Sequence, residues 1–135
     1  MAIGTELMRM AQKITIEKLG EVLIERLLSI SNLKAVYIGK TGNLQSAEMR
    51  HSPNYDGTIP VAVGTAEIVN TGEDYLIRLL KERLPKSVKV DNLKEGSAGN
   101  PMANMLYISL DIAYKRIEDL YDGDLFSEPF ELEKS

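Results

Sequence analysis

The chain has 135 residues, a formal net charge of −4, a pI near 5.1 and no cysteine. Such a length suits one domain, and 44% hydrophobic residues supply a core. No apolar run approaches the roughly 18–20 residues of a membrane span, and without cysteine there are no disulfides, thiolate metal sites or cysteine nucleophiles. A cysteine-free composition fits a reducing, cytoplasmic setting. Met1 to Lys13 lacks the charged, apolar, small-residue order of a secretory signal. The acidic average argues against strong DNA binding, because phosphate neutralisation drives nucleic-acid affinity. It conceals a gradient. Arg78, Lys81, Arg83, Lys86, Lys89 and Lys94 make one stretch locally basic, whereas Glu118, Asp119, Asp122, Asp124, Glu128, Glu131 and Glu133 crowd the end.

Along the chain, Thr15 to Ser29 reads as an amphipathic helix. Ile16, Leu19, Leu23 and Leu27 recur at spacings of three and four, Thr15 is a cap, and Ser31 with Asn32 is a stop. Ala35 to Ile38 is a short buried strand, Gly39 to Asn43 a loop, and Leu44 to His51 a short helix. Ile59 to Val69, rich in Val, Ile and Thr, reads as a strand kinked at Gly64. Asn70 and Thr71 then cap a helix from Gly72 to Leu84, which Pro85 stops. Ser87 to Val90 and Met105 to Leu110 favour strand, Asn92 to Pro101 is a glycine-bearing loop, and Asp111 to Tyr121 favours helix, with one continuous helix from Met102 as the alternative. From about Asp122 the acidic end is expected to be poorly ordered or to dock on another chain through Leu125, Phe126, Phe130 and Leu132. The organisation read this way is a helical segment over 1–33, a core over 34–121 and an acidic tail over 122–135.

Gly39-Lys40-Thr41 after a strand invites a phosphate-loop reading, but Lys34 stands where that pattern needs its first glycine. A polar strand-to-helix turn accounts for it better. Taken singly, the other candidates also have plain structural readings. Glu73, near a helix start, is a dipole partner. Tyr37 is a core side chain with its hydroxyl at the surface. His51 is a surface residue, Asn92 a turn residue, and the basic run a solvated face.

Their order along the chain carries more. Val36-Tyr37-Ile38-Gly39-Lys40-Thr41-Gly42-Asn43-Leu44 resembles the second half-motif of the GIY-YIG nuclease superfamily, a tyrosine-bearing strand entering a polar loop and a helix. His51 falls where members often place a histidine or tyrosine. Glu73-Asp74-Tyr75-Leu76-Ile77 resembles the metal-binding glutamate helix, and Asn92 through Gly99 the asparagine with its glycine-rich stretch. The resemblance spans roughly 34–110. It departs in two places: the first half-motif, a Gly-Ile-Tyr strand, is absent, and Ala47 stands at the family's arginine position. Helical sequence from Gly20 to Leu28 fills the place of the first hairpin strand, and Arg50 lies one turn after Ala47.

The resemblance implies an α+β domain, with a small central sheet flanked by helices, that acts on DNA or RNA. If active, it would be an endonuclease using Mg²⁺ or Mn²⁺. Glu73 would bind metal, Tyr37 would activate water, Arg50 and His51 would contact phosphate or assist proton transfer, and Asn92 would support the site. One carboxylate can suffice, since Mg²⁺ is completed by water and substrate phosphate, and a first-turn Glu73 would be held ionised by the helix dipole. Tyr37 would need its phenol pKa lowered from about 10. The alternative is a catalytically inactive binding or assembly module, with a homo-oligomeric or other protein partner, and a third is an unrelated interaction domain. The catalytic reading requires Tyr37, Glu73 and Asn92 around one groove.

Overall fold

The computed structural model describes residues 12–52, 54–92, 100–112 and 129–134. They form an α+β fold in which three helices flank a six-stranded mixed sheet. Strand β1 (Lys13–Thr15) runs directly into α1 (Ile16–Leu28). The Thr15 hydroxyl accepts from the Lys18 amide, and Leu19, Leu23, Ile24 and Leu27 are buried, as the apolar spacing predicts. Asn32 turns the chain with φ 65°, a left-handed conformation that its short polar side chain tolerates. Then follow β2 (Leu33–Thr41), α2 (Leu44–His51), β3 (Gly57–Val63), α3 (Ala66–Arg83), β4 (Lys89–Val90), β5 (Met105–Ile112) and β6 (Phe130–Glu133).

The strand order is β1-β6-β3-β5-β2-β4. Strand β5 is antiparallel to both β2 and β3, while the other pairs are parallel. Because strand side chains alternate between faces, the pairing of Ile38 with Ile108 and of Ile108 with Ile59 puts these three on one side. That side also carries Val36, Lys40, Leu106 and Leu110, and α1 and α3 cover it. Glycine allows the close approach: a Cβ at Gly20 would overlap Leu79, and one at Gly72 would crowd Ile16 and Leu106. Each Leu or Ile buried here contributes roughly 1.5–3 kcal/mol. Tyr37, Gly39, Tyr107, Ser109 and Thr58 point to the other side, where α2 packs with Ala47 fully buried.

Several expectations shift. Gly39, Lys40 and Thr41 are not loop; they continue β2 in register with β5. The strand read from Ile59 to Val69 ends at Val63, and α3 begins at Ala66 with Thr65 as its cap. Inside the helix Ile68 and Val69 pack against the core, and that packing overrides their β-propensity. Asp111 and Ile112 belong to β5, and the helix expected over 113–121 lies outside the described residues. The end of the chain is not simply an acidic tail. Phe130 to Glu133 lies between β1 and β3, with Leu132 buried in the core. Nor does α1 take the place of a first hairpin strand: β5 is the antiparallel neighbour of β2, and α1 lies over the sheet. Among the described residues no helix is long and apolar enough to cross a membrane.

Candidate functional site

The side of the sheet under α2 gathers the polar and aromatic groups. Asn43 caps α2 by accepting from the Ser46 amide, which fixes where the helix starts and hence where its last turn falls. That turn carries Arg50 and His51. The His51 ring lies 4.6 Å from the ring of Tyr37, 5.6 Å from Tyr107 and 5.8 Å from Tyr55, centroid to centroid. Its Nε2 is 2.9 Å from the Tyr107 hydroxyl, to which the Arg50 guanidinium donates at 3.4 Å. Tyr55 donates to Asp91 at 2.6 Å, and the buried hydroxyls of Thr58 and Ser109 bond each other at 2.7 Å. Tyr107 is almost completely buried, Tyr37, His51 and Tyr55 are partly so, and Arg50 is exposed.

The electrostatics keep the rings of this cluster neutral between the Arg50 charge and the Asp91 carboxylate. Burial, then the Arg50 charge, lowers the pKa of His51 below its ordinary value of 6.5, so the imidazole is neutral at pH 7. Burial raises Tyr37, the Glu73 charge raises it further, and Arg50 opposes both. Tyr107 is raised mainly by burial, against the hydrogen bond from Arg50. Burial and then the bond to Asp91 raise Tyr55. The lowered Tyr37 phenol that water activation would require is therefore replaced by a raised one.

Glu73 is not at a helix start. It lies two turns into α3, so the helix-dipole argument does not apply to it. It is buried, and Lys40 donates to its Oε1 at 2.9 Å; the two side chains are only 5% and 6% exposed. Lys40 is three residues beyond Tyr37 on a regularly paired strand, and so leaves it from the opposite face. Tyr37 and Glu73 thus approach β2 from different sides, although the carboxylate's field reaches both Tyr37 and Tyr107.

Asn92 is engaged elsewhere. Its Oδ1 accepts from the Ile38 amide at 3.0 Å and its Nδ2 donates to the Ile38 carbonyl at 2.8 Å. The side-chain amide extends the β2–β4 ladder by one pair after Asp91 bonds the Val36 carbonyl. Of the residues expected to converge, Tyr37, Arg50 and His51 come together. Glu73 and Asn92 do not join them.

Among the described residues the donor set does not suit a divalent ion. A cation at Glu73 would lie against a buried ammonium, and the amide oxygen of Asn92 already accepts from backbone. Among the described residues no three His, Asp or Glu side chains are grouped to hold a metal.

Tyr107 and Tyr55 were missing from the sequence-derived set. Alternation along Met105 to Leu110 is the signal for Tyr107: burying Leu106, Ile108 and Leu110 on one face sends Tyr107 and Ser109 to the other. Which strand lies beside it depends on pairing between distant segments. Compared with family models, curated proteins and solved structures, the chain matches none of them.

Proposed function

We propose that the chain is a nucleic-acid-binding module of GIY-YIG-like type that contacts a phosphodiester without cutting it. The observation that carries this reading is the convergence of Arg50 and His51 on the Tyr107 hydroxyl beside Tyr37. Arginine presents a planar array of donors suited to phosphate oxygens. Arg50 is exposed and uses one bond to fix its direction, so most of that array faces solvent. It supplies, from the next turn, a cation for the helix that has Ala47 at the family's arginine position. His51, neutral at pH 7, adds a hydrogen bond rather than charge.

Cleavage is not part of the reading. Burial and the Glu73 charge raise the Tyr37 phenol, the opposite of what a base there would need. Glu73 serves as the counter-ion of Lys40. With a net charge of −4 on the whole chain, binding should be modest and strongly weakened by salt.

The test is fluorescence anisotropy with single- and double-stranded DNA and RNA, in chelator, over a range of salt. Binding should fall with salt, and Arg50→Ala should reduce the salt slope by about one. Cleavage that requires Mg²⁺ or Mn²⁺ and is lost in a folded Glu73→Gln variant would overturn the reading, as would the absence of binding to every probe.

A further inference from the structure

We propose that Tyr107, carried on β5 beside β2, is the positioning residue that holds Arg50 and His51 toward phosphate. The proposal rests on the binding function above and adds a residue to it.

Position is the first argument. Strand β5 is paired antiparallel along the whole of β2, from Leu33 with Ile112 to Thr41 with Met105. The other edge of β2 carries β4 and the side-chain amide of Asn92, and the segment preceding β2 is α1, which lies on the sheet's face. Strand β5 therefore sets Tyr107 beside β2 on the side where α2 packs.

Close packing is the second. Tyr107 stands directly opposite Gly39 in the β2–β5 register. A Cβ at Gly39 would overlap the Tyr107 ring. Glycine at this position thus lets the ring cross β2 and carry its hydroxyl to the end of α2. The ring is 1% exposed and stacks beside Tyr37 at 6.4 Å, so the hydroxyl is rigidly mounted.

Hydrogen-bond chemistry is the third. A phenol has one proton and can accept as well as donate. Arg50 donates to the Tyr107 oxygen, and in the proposed arrangement the phenol's own proton is given to His51 Nε2. That bond selects the imidazole tautomer protonated at Nδ1. One buried hydroxyl thereby sets the direction of the guanidinium and the tautomer of the ring next to it.

Tyr107→Phe keeps the ring and deletes only this hydroxyl. The variant should retain the wild-type fold by circular dichroism and should bind single-stranded oligodeoxythymidylate about tenfold more weakly, the scale of losing a hydrogen bond to a charged group. Imidazole ¹⁵N spectra should show His51 leaving its single tautomer for a mixture. Gly39→Ala, which displaces the ring but removes no polar atom, should produce both effects if it folds. Wild-type affinity in a folded Tyr107→Phe variant, together with an unchanged His51 tautomer, would overturn the proposal. If the wild-type protein binds no oligonucleotide, the binding function fails. The positioning role is then decided by the His51 spectra alone: a changed tautomer supports it and an unchanged one overturns it.

Discussion

Toward α1 and α3, the central strands present Val36, Ile38, Ile59, Leu106, Ile108 and Leu110, all inaccessible to solvent, with Lys40 and Glu73 as a buried ion pair. Toward α2, the residues alternating with them are Tyr37, Thr58, Tyr107 and Ser109, joined by His51, Tyr55 and an exposed Arg50. The same three strands build both sides, and the pleat alone sorts them. Among the described residues, the first side has the α1–α3 pair over it and the second has the short α2. The two sides differ in kind: apolar burial on one stabilises the fold, and on the other buried hydroxyls lie under the partly buried imidazole of His51 and the exposed guanidinium of Arg50 that the proposed binding would use. Substitutions on the two sides should therefore fail differently.

The costliest substitutions fall on the first side. Lys40→Met leaves Glu73 buried without its ammonium partner and should cost about 3–5 kcal/mol in urea unfolding, the range for breaking a buried pair. A loss below about 1 kcal/mol, the scale of exposed pairs, would mean that the carboxylate is held by contacts other than Lys40. Leu23→Ala, in the α1 stripe packed on α3 and the sheet, should cost about 2–5 kcal/mol. At protein concentrations and temperatures where they remain folded, both variants should bind nucleic acid as the wild type does. A selective loss of binding by either would collapse the division between the sides.

The second side predicts smaller stability changes. Ser109→Ala strands the Thr58 hydroxyl in a buried position and should cost about 1–3 kcal/mol. His51 adds a pH dependence whose sign is fixed by its lowered pKa. The unfolded chain binds the proton more readily than the native one, so stability should decline as pH falls through the ordinary histidine value, near 6.5. His51→Gln should remove that part of the decline. A variant whose stability falls just as steeply between pH 7 and 5 would place the titration on other groups.

The legibility of these two sides in the sequence was unequal. The α1 stripe, the Thr15 cap and α2 were readable because they depend on residues three or four apart. Glu73 was misplaced because Ile68 and Val69 look like strand, which moved the helix start from Ala66 to Gly72 and put the carboxylate in the first turn. The Phe130-Glu131-Leu132-Glu133 alternation is a strand signal, but a run of acidic neighbours obscured it. Tyr107 and Asn92 depend on pairings across 54 to 57 residues, with Ile38 in one case and with Arg50 and His51 in the other. Spacing within a short window carries no record of such partners.

The most direct test of the division between the sides is chemical-shift mapping of the wild-type protein, in chelator, as a single-stranded oligonucleotide is added. Shifts should concentrate on Tyr37, Arg50, His51 and Tyr107, with Leu23, Leu76 and Lys40 unmoved. Shifts centred on Lys40 and Glu73, or appearing only when Mg²⁺ or Mn²⁺ is supplied, would contradict a metal-free phosphate site under α2.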